Sequence, residues 1–335
     1  MRVAVFSTKS YDREFLDRFN SGTEHQLTYF DAALNSNTTN LALGFDSVCV
    51  FVNDKVDKAT IEKLATAGIK LIALRCAGFN NVDILAAAEN KIKVVRVPAY
   101  SPQAVAEHAV ALIFTLNRKT HKAYNRIREN NFSLEKLMGF NLYQKTVGVI
   151  GTGKIGAIFC EIMQGFGCKV IAYDIIESDS LKEKGIQYMS LDELLGSADI
   201  ISLHCPLTPE TRHLIDKKAF ARVKKGAMII NTSRGAVINA SDAIDALKTG
   251  KLGYLGIDAY EQEENLFFKD LSESIIQDDT ILRLMSFHNV LITAHQGFFT
   301  KEAMEQIANT TLKNLSDFEK GQPLENEVKT EWVKP

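Results

Sequence analysis

Charge of one sign is what this chain lacks most plainly. Its 39 Lys and Arg stand against 41 Asp and Glu, a formal charge of −2. That balance gives no general electrostatic reason to hold a nucleic acid or an anionic membrane, so neither partner is expected. Proline is scarce, at 6, and 20 Gly in 335 residues excludes collagen-like and linker compositions. Long apolar runs are missing as well. The longest apolar-rich stretch free of Asp, Glu, Lys and Arg, Leu284 to Thr300, is interrupted by His288, Asn289, His295 and Gln296. It reads as loop, strand and site, because a spanning helix needs about 20 mostly apolar residues. Val3-Ala4-Val5-Phe6 is too short for a secretory apolar region. The five cysteines (Cys49, Cys76, Cys160, Cys168, Cys205) show no Cys-x-x-Cys spacing, and most sit in apolar runs where a thiol behaves as a small hydrophobe. A reduced, cytoplasmic chain without a metal is the expectation.

What the chain does contain is alternation. Val3–Ser7, Leu27–Phe30, Val48–Val52, Leu71–Arg75 and Val94–Val97 read as strands, with helical apolar spacing over Tyr11–Phe19, Lys58–Ala67 and Val82–Asn90. Such alternation predicts βαβ units around a parallel sheet covered on both faces. From Ser101-Pro102, a cap followed by proline in the first turn, one long helix is expected to about Asn130. It divides the domains, and its excess apolar surface is a candidate subunit contact. Six further strands follow: Thr146–Ile150, Val170–Asp174, Ile200–His204, Ala227–Thr232, Tyr254–Asp258 and Val290–Ala294. They match a six-stranded doubly wound sheet. The final helical segment, Glu302–Gly321, is free to return to the first domain.

Gly151-Thr152-Gly153-Lys154-Ile155-Gly156 follows an apolar strand and opens a helical segment, Ile155–Phe166. Gly151 permits a tight turn, Gly153 lets the backbone approach a pyrophosphate, and Gly156 lets the helix lie close to the strand. The anion then meets the N–H groups at the helix start. Asp174 ends the next strand about 20 residues beyond Gly151, the spacing of a ribose-binding acid that favours NAD over NADP. S-adenosylmethionine is the main competing ligand for such a turn.

Three polar residues fall where strands of the second series end: Arg234, Glu263 and His295, the last directly after Val290–Ala294. In open α/β sheets ligands bind beyond the carboxyl ends of the strands. Oxidation of a hydroxy acid needs a proton carrier at the substrate oxygen and fixed donors for the carboxylate. A His held by a Glu suits the first task, since the carboxylate favours the imidazolium. An Arg that grips a carboxylate through two parallel hydrogen bonds suits the second.

These residues, with Arg75–Asp83, Val97–Pro102, Leu203–Thr208, Asn231–Gly235, Asp258–Glu263 and His295-Gln296, resemble the D-specific 2-hydroxyacid dehydrogenases from end to end, and within them the bacterial fermentative, lactate-forming type. The resemblance implies a Rossmann NAD-binding domain (102–297) inserted into a discontinuous, flavodoxin-like substrate domain (1–101 and 298–335), with a cleft that closes. It implies reversible reduction of pyruvate to D-lactate with NADH by a homo-oligomer, a dimer or tetramer. Arg234 would bind and polarise the keto acid, His295 would be the acid/base and Glu263 its partner. Gly151, Gly153, Lys154, Ile155, Gly156, Asp174, Cys205, Pro206, Thr232, Ser233 and Asp258 would face NAD. Backbone N–H groups of Ala77 and Gly78 would take the substrate carboxylate, while Phe51, Tyr100 and Phe298 crowd a pocket suited to a methyl group. Asn80-Asn81 stands where many relatives have Asp-Asn, which removes a negative charge near the carboxylate loop, and Thr211 replaces an Asn that some place near the cofactor. Rival readings remain: a bulkier or phosphorylated hydroxy acid, formate, or a corepressor-like nucleotide sensor without turnover. The aromatics after His295 argue against a phosphorylated substrate, which would want added cations.

Overall fold

A computed structural model describes residues 1–22 and 25–332. Contacts divide the chain into two units, Met1–Ser101 with Phe299–Pro335, and Pro102–Phe298.

The first unit carries β1 (Arg2–Val5), β2 (Gln26–Tyr29), β3 (Ser47–Val50), β4 (Leu71–Leu74) and β5 (Lys93–Val95) in the order β2-β1-β3-β4-β5, all parallel. Every residue of β3 and β4 is buried, as the apolar strands of a sheet covered on both faces must be. Helix Lys301–Glu319 lies on one face, where Ala308, Leu312 and Leu315 pack with Val3, Val5 and Leu71. On the other face Ile61, Leu64, Ile84 and Ala87 pack with Ala4, Val48 and Ile72.

The second unit carries β6 (Thr146–Ile150), β7 (Lys169–Tyr173), β8 (Gln187–Tyr188), β9 (Ile200–Leu203), β10 (Ala227–Asn231), β11 (Leu252–Ile257) and β12 (Val290–Ile292). The order is β12-β11-β10-β9-β6-β7-β8, again parallel throughout. The sheet therefore has seven strands, not the six expected. The addition is the edge strand β8, two residues long with neither apolar run nor alternation to betray it. The winding reverses between β6 and β9, the place where doubly wound sheets hold their ligands. Among the described residues, no helix is long and apolar enough to cross a membrane.

The single long helix expected after Pro102 is two, Pro102–Arg118 and Thr120–Arg128. Lys119 takes a left-handed backbone (φ 51°) between them. Asn117 spends its side-chain amide on the backbone of Phe140, donating to its carbonyl at 2.7 Å and accepting from its N–H at 2.8 Å. Lys119 Nζ likewise reaches the carbonyls of Lys136 and Met138. The segment 136–140 is thereby tied to the end of the first helix. The subunit-contact expectation moves with this break. Ala106, Ala109, Leu112, Ile113 and Leu116 of the first helix are buried within the unit itself. Large exposed apolar side chains lie beyond it instead, on Tyr124, Ile127, Phe132, Leu134, Met138 and Tyr143.

Candidate active site

The phosphate-type turn is built as its glycines require. Gly151 has φ 91°, and a Cβ there would meet the Cys205 backbone nitrogen at 2.5 Å, so the turn after β6 is pressed against the chain leaving β9. A Cβ on Gly156 would lie 1.9 Å from the Gly151 carbonyl oxygen, which is why the helix Lys154–Gly165 can start so close. Gly153 differs: a Cβ would meet nothing within 4 Å, leaving open space over the first turn, where Lys154 and Ile155 stand. Asp174 follows β7 and is tied to that turn, its Oδ2 accepting from Thr152 N at 2.5 Å and Thr152 Oγ1 at 3.0 Å. The edge strand contributes here too, since the Tyr188 hydroxyl donates to Thr152 Oγ1 at 2.8 Å. Ile175 and Ile176, next to Asp174, expose large apolar side chains. Cys205 is buried and Pro206 follows it, with the Pro206 carbonyl accepting from Thr211 Oγ1 at 2.6 Å. Among the described residues, buried Thr232 Oγ1 has no hydrogen-bond partner, an orphan that a ligand polar group would satisfy. The open cradle at Gly153, the acid, the apolar shelf and this hydroxyl fit a dinucleotide.

The three strand-end residues are held by local devices. Asn231, fully buried at the end of β10, accepts from Ser233 N (3.0 Å) and Ser233 Oγ (2.8 Å) and donates to the Arg234 carbonyl (2.9 Å), stapling the turn that presents Arg234. Arg234 Nη1 donates to the Ser233 carbonyl at 2.8 Å. A Cβ on Gly235 would stand 2.0 Å from the Tyr260 carbonyl carbon, so this turn abuts the segment after β11. There Glu263 accepts from Tyr260 N through Oε2 at 2.9 Å, and its Oε1 lies 2.9 Å from His295 Nδ1. The carboxylate fixes Nδ1 as the protonated nitrogen, leaving Nε2 for a substrate. Both side chains keep about a fifth of their surface exposed.

His295 does not directly follow its strand as expected. β12 ends at Ile292, and His295 has a left-handed backbone, φ 55°. The cause is Asp258, whose carbonyl accepts from His295 N at 2.8 Å. Its carboxylate accepts from Thr293 Oγ1 (2.6 Å), Gln296 N (2.8 Å) and Gly297 N (2.7 Å), and His108 Nε2 lies 3.3 Å away. Burial alone would raise the Asp258 carboxyl, but donation from His108, Thr293 and the Gly297 backbone outweighs it and brings it down to about 2. Asp258 is thus the post around which the His295 loop is wound. Sequence reasoning gave it a cofactor role and missed Asn231, Thr293, His108 and Gly297. A Cβ on Gly297 would lie 2.9 Å from Asp258 Oδ2, a signal visible only with the fold.

In the first unit, Ala77 and Gly78 follow β4 in a loop whose carbonyls are engaged: Cys76 O accepts from Val97 N at 3.1 Å and Ala77 O from Arg96 Nη1 at 2.7 Å. Phe51 lies beneath the guanidinium of Arg75, 5.0 Å from its ring centroid. Arg75 is itself buried against Asp12 at 3.1 Å. Tyr100 lies near the end of the first unit's leading segment, whereas Phe298, expected in the first domain, is a buried residue of the second unit. Asn81 Nδ2 donates to the carbonyls of Phe51 and Asp54, a structural task.

Residues 110–297 match the family described as D-isomer specific 2-hydroxyacid dehydrogenase, NAD binding domain. The chain is 53% identical over 328 residues to a 2-hydroxyacid dehydrogenase homolog of Haemophilus influenzae, covering 98% of this chain and 99% of the relative. It is 52% identical to D-lactate dehydrogenase of Escherichia coli, covering 98% and 100%. Among solved structures, the apo form of the Escherichia coli D-lactate dehydrogenase superposes with a TM-score of 0.91 at 50% identity, over 98% of this chain and 100% of that one.

Proposed function

The chain belongs to the D-isomer-specific 2-hydroxyacid dehydrogenase family, an NAD-dependent group of enzymes, and we propose that its reaction is the reduction of pyruvate to D-lactate. The observation that carries this reading is the His295–Glu263 pair, 2.9 Å apart, on the same sheet edge as the Arg234 turn. The Gly151–Gly156 turn and Asp174 would hold NADH, which would supply the hydride.

His295 then gives its Nε2 proton to the ketone oxygen, while Glu263 keeps the ring in one orientation and stabilises the imidazolium that precedes transfer. Arg234 grips the carboxylate and polarises the carbonyl. Within the first unit, the N–H groups of Ala77 and Gly78 are candidate donors for a keto-acid carboxylate and Phe51 and Tyr100 candidate limits on its side chain; Phe298 has that candidate role in the second. A phosphorylated substrate would want lysines or arginines directly after His295, and the chain has Phe298 and Phe299 there. The five cysteines are buried and unbridged, which suits a reducing cytoplasm. The exposed apolar face of Tyr124, Ile127, Leu134 and Met138 suits a second copy of the chain.

The test is a panel of 2-keto acids of increasing size followed by NADH absorbance, with chiral analysis of the product. Pyruvate should lead the panel and give D-lactate. A larger acid in front, or an L-product, would overturn the assignment.

A further inference from the structure

Arg96 is flanked by two aromatic rings that also touch each other. Its guanidinium carbon lies 5.3 Å from the centroid of Phe79 and 5.2 Å from that of Trp332, and the two rings stand 6.4 Å apart. Trp332 is the sole tryptophan of the chain, belongs to a short helical turn, Thr330–Trp332, and is 46% exposed. The segment that delivers it is fastened to β5. Val328 N donates to the Val94 carbonyl at 2.8 Å, Arg96 N to the Asn326 carbonyl at 3.1 Å, and Lys93 pairs with Glu327 at 2.7 Å. Val328 itself is buried in the core of the first unit.

The held guanidinium acts on one peptide group. Arg96 Nη1 donates to the Ala77 carbonyl at 2.7 Å, and Val97 N donates to the Cys76 carbonyl at 3.1 Å. All peptide bonds described are trans, so the carbonyl of one residue and the N–H of the next point opposite ways. Anchoring the Cys76 and Ala77 carbonyls on residues 96 and 97 therefore turns the N–H groups of Ala77 and Gly78 together to the other side of the loop. Two adjacent N–H groups facing one way make a receptor for an anion.

We propose that Arg96 and Trp332 are positioning residues for the substrate carboxylate: Trp332, packed beside Phe79, restrains the Arg96 guanidinium, and Arg96 in turn aims the Ala77–Gly78 peptide. This rests on the reading that Ala77 and Gly78 receive the carboxylate of the keto acid. A flexible lysine could donate to Ala77 but lacks the planar guanidinium that packs on both aromatic rings. The tail beyond β5 thus sets the affinity of a loop it does not belong to.

The experiment measures KM for the keto acid and for NADH, with kcat, in the wild type and in Trp332→Ala, Trp332→Phe and Arg96→Lys. Trp332→Ala should raise KM for the keto acid roughly fivefold, the scale of a lost cation–π contact, with KM for NADH unchanged. Trp332→Phe should restore most of that loss, and Arg96→Lys should reproduce it. In the wild type, saturating oxamate should shift the Trp332 emission beyond any change produced by cofactor alone. Equal KM values in Trp332→Ala and wild type would overturn the inference while leaving pyruvate reduction intact. If another keto acid proves to be the substrate, the proposed function falls, and the same comparison is made with that acid. A KM rise shared equally by NADH, or no rescue by Phe, would reduce Trp332 to a packing residue and overturn the inference.

Discussion

Asp258→Asn removes the charge from the post that holds the His295 loop and leaves its shape. The carboxylate accepts from Thr293 Oγ1 and two backbone N–H groups and has only 2% of the residue exposed. Whichever way the new amide turns, its NH2 faces a donor: Gly297 N on one side, Gln296 N on the other. Hydrogen bonds to a buried charged acceptor contribute about 1.5–3 kcal/mol, so a loss of that size is expected. Linkage gives a second figure. Asp258 is lowered from the ordinary 3.8 to about 2, and each unit corresponds to about 1.4 kcal/mol, hence about 2–3 kcal/mol. The two routes agree.

Because the folded value is the lower one, this stability is complete above pH ~4 and disappears as pH falls through about 2. For a unit of this length a loss of that size lowers Tm by about 5–10 °C. Thermal unfolding of the wild type and Asp258→Asn at pH 7, and then at steps towards pH 3, is the assay, with kcat followed alongside. The gap between the two proteins should be widest near neutrality and should narrow in acid, and kcat should fall because the Gln296 and Gly297 N–H groups that follow His295 lose their charged acceptor. Equal Tm at pH 7, or a gap that widens on acidification, would refute the account of Asp258 as a charged post.

Three further outcomes are expected at the site and the surface. His295→Gln should lower kcat by about 10²–10⁴-fold, the usual worth of a positioned acid, with NADH affinity by equilibrium titration nearly unchanged; retained turnover would remove His295 from the chemistry. Phe51→Leu should raise kcat/KM on longer 2-keto acids relative to pyruvate, by roughly tenfold if a methylene-sized space opens, and a flat ratio along a chain-length series would take Phe51 out of the pocket. Met138→Asp combined with Leu134→Asp, at residues 87% and 82% exposed, should halve the mass seen by sedimentation or light scattering at a given concentration; an unchanged mass would place the subunit contact elsewhere.

Both sheets were legible in the sequence because each long strand is a run of apolar residues bounded by polar ones, as in Leu71–Leu74 and Ala227–Asn231. The glycine-rich turn after Ile150 was legible for a related reason, and Arg234, Glu263 and His295 all lie in the segments that follow the carboxyl ends of strands. What escaped was whatever depends on side chains turning back on the backbone. Asn117 ends a helix whose apolar spacing continues past it, and Gln187-Tyr188 forms a strand through position alone. Asp258 looked like one more polar residue near a cofactor, yet its partners come from positions 108, 293, 296 and 297. No local pattern announces a cluster gathered from such separations.

The helix Lys301–Glu319 covers β1 and β4 although some two hundred residues of another unit are threaded between them. A ribosome therefore finishes the Pro102–Phe298 body before it has made the lid for the part it began first. Until Ala308, Leu312 and Leu315 emerge, Val3, Val5 and Leu71 have only Leu16, Phe15 and Phe19 from an earlier helix as cover, and the nascent chain carries a half-dressed sheet of the kind chaperones bind. Translation that stops short of that helix should yield a well-folded middle flanked by a sticky front, whereas loss of the middle alone leaves both pieces of the outer unit able to meet.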